Sequence, residues 1–155
     1  MDEKTNLMRM VEQKKIKYNH YCYTDTGAVS GVEVAACLGQ NPDCVFKTLV
    51  TAGKSKQHYV FIIPVAKELN LKKAAKAAGE KSVEMVKSKE LLPLTGYIHG
   101  GCSPIGMKKY FPTFIDKSAE ELDAFCVSAG KIGYQVELSL ESLRKVIRVD
   151  TADLT

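Results

Sequence analysis

The apolar and polar positions along the chain predict short helices and short strands in irregular alternation. Helices are predicted where apolar residues recur every three or four positions, and strands where residues alternate or form brief apolar runs. The predicted helices are residues 5–15, 30–38, 71–78, 88–92 and 139–146, with a short one beginning at 118. The predicted strands are residues 17–23, 44–51, 57–63, 82–86, 112–116, 124–128 and 135–138.

Local signals support several of these boundaries. Ser30 with Glu33, and Ser118 with Glu121, have the spacing of capping boxes, which open helices. The short polar link 52–56 joins two strands, which favours a hairpin. Because a hairpin places its strands antiparallel, a purely parallel sheet is disfavoured, and we expect a mixed sheet flanked by helices.

Lys47 interrupts a strand that is otherwise apolar on both faces. Val45 and Leu49 share its face, and such a strand is typical of the middle of a sheet covered on both sides. A lysine there loses hydration, which is costly unless an anion or an acceptor meets its ammonium group. In the simpler alternative, the stem is buried and the amine reaches water. The strand pattern by itself favours the simpler alternative.

The loop at residues 100–106 is a second candidate site. Gly100 and Gly101 free the backbone for close approach to a ligand, and Ser103 followed by Pro104 is typical of the start of a short helix. Backbone N–H groups at such a turn attract anions, although a tight structural turn explains the same residues equally well. The spacing fits neither a nucleophile elbow nor a phosphate-binding loop.

Other candidate groups are weaker. Cys102 and His99 could form a thiol–imidazole pair, but no third orienting group is evident, and a packing cysteine beside a surface histidine is favoured. Ser128 follows a predicted strand, where its hydroxyl either faces a cleft or bonds its own backbone. Neither paired carboxylates nor the cysteine–histidine spacing of a zinc site occurs, so no metal and no cofactor is predicted.

Length and composition set the remaining bounds. The 155 residues fit one domain, 1–155, and the 45% hydrophobic and 26% charged content is that of a globular protein. No apolar run reaches the roughly 18 residues of a membrane span, and the N-terminal residues 1–6 are polar, so a cytoplasmic protein without a membrane partner is predicted. The net charge of +4 permits a polyanionic partner without requiring one.

Five segments, taken in order, resemble a known family. They are VFKTL at 45–49, PV at 64–65, LKKAA at 71–75, TGY at 95–97 with GGCSPIG at 100–106, and VSAGK at 127–131. Together they resemble the YbaK/EbsC family of free-standing aminoacyl-tRNA editing proteins, which are similar to the insertion domain of bacterial prolyl-tRNA synthetases. The resemblance runs over roughly residues 4–150. It implies a mixed, largely antiparallel, barrel-like sheet with helices packed around it.

The resemblance also implies an activity, the release of a wrongly attached amino acid from the 3′ end of a tRNA. In the YbaK branch the substrate is cysteine on tRNA(Pro), with cysteine on tRNA(Cys) as a second substrate, and the thiol of the cysteine itself attacks the ester. Such an enzyme needs to position its substrate rather than supply a nucleophile. Aminoacyl-tRNA is the implied partner, with a prolyl-tRNA synthetase as an additional one, and the oligomeric state is not predicted.

The resemblance carries site residues over position by position. Lys47 falls on the family's lysine and is predicted to hold a phosphate or the terminal adenosine. Gly100 and Gly101 fall on the glycine pair of the substrate loop and are predicted to present backbone N–H groups to the ester carbonyl. The residues predicted to hydrogen-bond the aminoacyl group or the ribose are Tyr23, Thr48 and Ser128.

Two positions near the implied amino-acid pocket depart from the family pattern. Ser30 stands where a phenylalanine is expected, and Gln135 stands where an aspartate is expected. The loss of an aromatic wall and a carboxylate keeps two alternatives open: deacylation of alanine or another small amino acid on tRNA(Pro), and tRNA or nucleotide binding without catalysis. A cysteine-dependent hydrolase using Cys102 and His99 is a third.

Overall fold

The computed structural model describes residues 4–24, 26–28 and 30–155, so residues 1–3 of the polar N-terminal stretch lie outside the described residues. The helices are α1 (Asn6–Gln13), α2 (Gly31–Cys37), α3 (Leu71–Ala78), α4 (Ser88–Thr95) and α5 (Leu140–Val146), with 3₁₀ turns at Pro42–Cys44 and Lys117–Glu121. The strands are β1 (Asn19–Cys22), β2 (Phe46–Gly53), β3 (His58–Pro64), β4 (Val83–Met85), β5 (Thr113–Asp116), β6 (Phe125–Ser128), β7 (Tyr134–Leu138) and β8 (Asp150–Ala152).

The strands form two sheets. One has five strands in the order β4-β2-β3-β5-β8, and the other has three in the order β1-β7-β6. All pairs are antiparallel except β3 with β5 and β5 with β8, which are parallel. The mixed, largely antiparallel arrangement is therefore confirmed. The barrel-like closure is not: the described strands remain in two sheets, which meet at a single bridge between Val45 and Cys126.

The core follows from the position of β3 between β2 and β5. Successive side chains of a strand point to opposite faces, and both faces of β3 are covered. Ile62 packs into the cluster that contains α1, whereas Phe61 and Ile63 pack against Ala74 of α3. All three β3 side chains are fully buried, which explains why this strand is an unbroken apolar run rather than an alternating one.

Several local predictions are confirmed. Ser30 caps α2 through a capping box, in which its hydroxyl accepts the Glu33 N–H at 3.2 Å and the Glu33 carboxylate accepts the Ser30 N–H at 3.1 Å. The predicted hairpin is formed by β2 and β3 in antiparallel register. Helix α3 ends at Gly79, whose φ of 74° is the left-handed conformation that glycine adopts most easily.

Other local predictions are wrong. Ser118 does not cap a helix, because the neighbouring Asp116 carboxylate accepts the Ser118 N–H at 3.2 Å and caps a 3₁₀ turn instead. Pro93 does not stop α4: only one backbone hydrogen bond is lost, and Thr95 closes the helix by donating its hydroxyl to the Leu91 carbonyl at 2.8 Å.

Two further differences concern irregular backbone. Ser103 does not start a helix, since its hydroxyl accepts the Ile105 N–H at 3.3 Å within a loop of bends. Strand β8 was not predicted. It has only three residues, none of them fully buried, and it is defined by its parallel pairing with β5 rather than by a local pattern.

Candidate active site

A cavity of about 340 Å³ lies between the start of α2, the first half of β2 and the loop that follows α4. This volume is within the range of small-ligand sites in proteins. The cavity brings together seven of the eight predicted site residues: Tyr23, Ser30, Lys47, Thr48, Gly100, Ser128 and Gln135. These residues come from six separate elements and loops of the chain, so the fold itself assembles the site.

Lys47 is half-buried in β2, paired with Ile63 of β3, and lines the cavity. No described residue forms a hydrogen bond or an ion pair with its ammonium group, and no aspartate or glutamate is among the described residues that line the cavity. A cation that has lost part of its hydration, with no counter-charge among the described residues around it, attracts an anionic or oxygen-rich ligand.

Thr48 presents a second group without a partner. Its Oγ1 is buried and has no hydrogen-bond partner within the described part of the chain. Leaving a buried hydroxyl unpaired costs on the order of 1–3 kcal/mol. Such a cost is accepted at binding sites, where a ligand or a bound water completes the hydrogen bond.

The three-stranded sheet supplies the polar wall opposite β2. Ser128 of β6 lies directly across from Gln135 of β7, so their side chains share one face of the sheet. The Ser128 hydroxyl accepts the Gly130 N–H at 3.2 Å and keeps its own proton to donate into the cavity. Tyr23, just after β1, is held by its backbone N–H, which donates to the Gly133 carbonyl at 2.8 Å.

The start of α2 forms the third wall. Ser30 lies at the cavity, but its hydroxyl oxygen is engaged in the capping box described above. Gly31 follows it, and a Cβ at this position would overlap the side chain of Val65. The close approach of α2 to the end of β3 thus depends on Gly31, a residue that no sequence pattern singles out.

Tyr97 holds the loop after α4 in place. Its hydroxyl donates to the Ile105 carbonyl, and its ring packs against Gly130, where a Cβ would come within 2.9 Å of the ring. Burial raises the pKa of Tyr97 to about 12, so the phenol remains a hydrogen-bond donor at neutral pH. Tyr97 belongs to the recognised TGY segment, but its supporting role was not predicted, because hydrogen bonds across a loop leave no periodic signal.

The two glycines of this loop have different roles. Gly100 lines the cavity with a φ of 89°, which favours glycine. Gly101 does not line the cavity, and its N–H already donates to the Ile98 carbonyl at 3.0 Å. A Cβ on Gly101 would lie 3.1 Å from the Ile132 backbone nitrogen. The use of the Gly101 N–H on the ester stays a prediction; in this structure that N–H is bonded within the loop, and the lack of a Cβ allows close packing against residues 131 and 132.

Cys102 and His99 both line the cavity, yet the geometry does not join them into a catalytic pair. Burial raises the pKa of the Cys102 thiol to about 12, with Thr95 as its hydrogen-bond partner. A thiol of this kind is almost entirely protonated at neutral pH, and the thiolate is the reactive form. The environment of Cys102 is that of a packing residue.

Neither a metal-binding cluster nor a membrane-spanning helix is found among the described residues. Within residues 4–24, 26–28 and 30–155, no three histidine, cysteine, aspartate or glutamate side chains are grouped as a metal site would require. Over the same ranges, none of the helices has the length and apolar character needed to cross a membrane.

Comparisons with known proteins agree with this geometry. Residues 26–146 match the family described as the aminoacyl-tRNA editing domain. The chain is 47% identical over 154 residues to a protein of Enterococcus faecalis (strain ATCC 700802 / V583) named as a Cys-tRNA(Pro)/Cys-tRNA(Cys) deacylase, EbsC; the match covers 99% of this chain and 94% of the relative.

Solved structures show the same fold. The hypothetical protein APE2540 superposes with a TM-score of 0.87 at 21% identity, covering 97% of this chain and 99% of the other. A protein described as a trans-editing enzyme for prolyl tRNA synthetase superposes with a TM-score of 0.81 at 22% identity, covering 97% and 98%. The resemblance seen in the sequence is thereby confirmed, and the chain belongs to the aminoacyl-tRNA editing domain family.

Proposed function

We propose that this protein is a trans-editing deacylase that releases cysteine from mischarged tRNA(Pro), and from tRNA(Cys). The observation that carries the proposal is the half-buried Lys47 ammonium, which lines the cavity without a partner among the described residues. The 3′ end of a tRNA combines phosphates with an ester carbonyl, so it offers the negative charge that the described cavity residues do not supply and acceptors for their donors. The relative from Enterococcus faecalis carries the name of the same activity.

The cavity supplies donors on several sides. Lys47 holds a phosphate or the terminal adenosine, and the Gly100 N–H is directed to the ester carbonyl. The hydroxyls of Tyr23, Thr48 and Ser128 bind the ribose or the aminoacyl group. Donors fixed in advance around a carbonyl stabilise the negative charge that develops on its oxygen during acyl transfer.

The substrate itself provides the nucleophile in this proposal. The cysteinyl sulfur attacks its own ester carbonyl, a carbon–sulfur bond forms, the bond from the carbonyl carbon to the ribose oxygen breaks, and the thiol proton passes to that oxygen. Release is then of the lyase type, and attack by water would make it a hydrolase. The raised pKa of Cys102 supports a reaction without a protein thiolate. We place the activity in the cytoplasm, with a prolyl-tRNA synthetase as a further partner.

A discharge panel tests the proposal. The purified protein is incubated with cysteinyl-, alanyl- and seryl-tRNA(Pro), and with cysteinyl-tRNA(Cys), each labelled on the amino acid. We expect rapid loss of cysteine from both tRNAs and slower loss of alanine and serine, which lack a thiol. Faster discharge of alanine would assign the cavity to a small amino acid. A shift in electrophoretic mobility without discharge would show a binding module and overturn the proposal.

A further inference from the structure

The C-terminal end of α2 places Gln40 next to Gln135, a residue of the cavity wall. Gly39 follows the helix with a φ of 67°, and the Gln40 N–H donates to the Ala35 carbonyl at 2.8 Å, while the Gly39 N–H donates to the Ala36 carbonyl at 3.3 Å. This pair of bonds is a Schellman motif, in which the residue after the glycine has a fixed backbone. The direction of the Gln40 side chain is therefore set by the helix end.

The Gln40 side chain is hydrogen-bonded to Gln135. The Gln40 Nε2 donates to the Gln135 Oε1 at 2.8 Å, across 95 residues of sequence. Gln135 is only 5% exposed and lines the cavity beside Ser128. Because its oxygen is held by Gln40, the NH₂ group is the half of the carboxamide left for a ligand, and no residue in the described ranges accepts from it. Gln135 thus offers a donor where the family pattern has an acceptor.

Gln40 holds the Gln135 side chain at a cost in stability. Its own Oε1 is buried and has no partner in the described part of the chain, and its Nε2 also lies 3.6 Å from the Cys126 sulfur. An unpaired buried acceptor destabilises a fold, and an apolar side chain of similar size would avoid it. A residue kept only for packing would not carry this orphan atom, so its amide has a use beyond packing.

We propose that Gln40 is a positioning residue that fixes the orientation of the Gln135 carboxamide, so that its NH₂ group is presented to the aminoacyl ester in the cavity. The inference rests on the proposed deacylase function. With Gln40 in place, Gln135 directs its NH₂ group at the oxygen atoms of the aminoacyl ester. Without Gln40, the carboxamide is free to turn its oxygen into the cavity, and the donor to the ester is lost in that orientation.

A double-mutant cycle tests this coupling. The variants are Gln40→Leu, Gln135→Leu and the double variant, with Gln57→Leu as a matched control on an exposed residue of the β2–β3 turn. Deacylation of cysteinyl- and alanyl-tRNA(Pro) is measured as separate kcat and KM values, and thermal unfolding verifies folding. We expect each single variant to lose roughly tenfold in kcat/KM for cysteinyl-tRNA, the loss of about one hydrogen bond, and the double variant to be no worse than Gln135→Leu. Gln40→Leu should lower the discharge of alanyl-tRNA(Pro) by a similar factor, because the ester is common to both substrates.

Two outcomes would overturn the inference: losses that multiply in the double variant, or a Gln40→Leu protein that behaves like Gln57→Leu. A binding measurement keeps the test independent of turnover. The same proteins are titrated with 3′-cysteinylamino-3′-deoxyadenosine, whose amide bond replaces the labile ester. If the wild type discharges no aminoacyl-tRNA, the proposed function fails, while the cycle on this analogue still decides whether Gln40 acts through Gln135.

Discussion

The two ends of the β2–β3 hairpin differ in whether their polar side chains have hydrogen-bond partners. At the turn end, the Glu80 carboxylate accepts hydrogen bonds from the backbone N–H and hydroxyl of Ser55 and from the Tyr59 hydroxyl. Gly53 makes room for this carboxylate, because any Cβ there would overlap it. At the other end, Lys47 and the Thr48 hydroxyl have no partners among the described residues.

One end of the hairpin therefore has polar groups that are hydrogen-bonded within the protein, and the other has polar groups without partners among the described residues. Hydrogen bonds that serve stability are closed within the protein, since leaving a buried group unpaired costs more than a good bond returns. Groups that are left open at a cavity await a ligand. We expect substitutions at the turn end to change stability without changing activity, and substitutions at the cavity end to do the reverse.

The largest effect is expected at Lys47. Replacement by Ala or Met should lower the single-turnover rate of cysteinyl-tRNA(Pro) discharge by about two orders of magnitude or more, the range seen when a charge-stabilising group is removed. Lys47→Met keeps the apolar stem, so its free energy of unfolding in urea should match or exceed that of the wild type. A Lys47→Met protein with wild-type turnover would remove the observation on which the proposed function rests.

A matched pair of hydroxyl deletions compares the two ends directly. Thr48→Val removes a hydroxyl without a partner and should lower the discharge rate roughly tenfold, while the free energy of unfolding is unchanged or rises by up to about 1 kcal/mol. Tyr59→Phe removes a hydroxyl that donates to Glu80 and should leave the discharge rate unchanged, while the free energy of unfolding falls by about 1 kcal/mol. Equal losses of stability in both variants would contradict the distinction.

Features that neighbouring residues set are predicted from the sequence better than features that distant contacts set, for a physical reason. Capping at Ser30, the helix stop at Gly79 and the hairpin link are local, so residues a few positions apart contain the signal. The strand pattern around Lys47 favoured an ordinary solvated lysine. Only the ordered family segments identified it as a site residue, and the fold then brought it to the cavity.

Contacts between distant segments explain what was missed. Strand β8 exists because β5 offers it a parallel edge, and Asp116 replaces Ser118 as a cap because it lies at the end of β5. The bond from the Gly101 N–H to the Ile98 carbonyl is different, because it closes a turn within one loop that has no periodic pattern. Gln40 was overlooked because its partner is 95 residues away and its own neighbours mark only a helix end.

A smaller, pH-dependent effect is expected at Glu80. Hydrogen bonds from Ser55 and Tyr59 lower the pKa of this carboxyl below its ordinary value of 4.5. A carboxyl whose pKa is lowered in the folded state stabilises the fold above its unfolded-state pKa and loses that contribution as the pH falls through the folded-state pKa. The unfolding temperature of Glu80→Gln should thus lie below that of the wild type near neutral pH, and the gap should close under acidic conditions. If the difference in unfolding temperature persists in acid, lost packing rather than lost charge is its cause. If Glu80→Gln alters the discharge rate at neutral pH, the turn end of the hairpin does not act on stability alone.

The smallest effect is expected at Cys102, which lines the cavity but already has Thr95 as a partner. If the lack of a partner, rather than mere position at the cavity, marks a functional group, then Cys102→Ala should discharge cysteinyl-tRNA within about twofold of the wild type. Because burial raises the pKa of this thiol to about 12, it stays protonated from about pH 6 to 9 and should add no inflection to the pH–rate profile. Iodoacetamide should label the exposed Cys37 well before Cys102, with no loss of activity. Inactivation that follows modification of Cys102, together with a Cys102→Ala protein that no longer discharges cysteinyl-tRNA, would instead make the buried thiol the nucleophile.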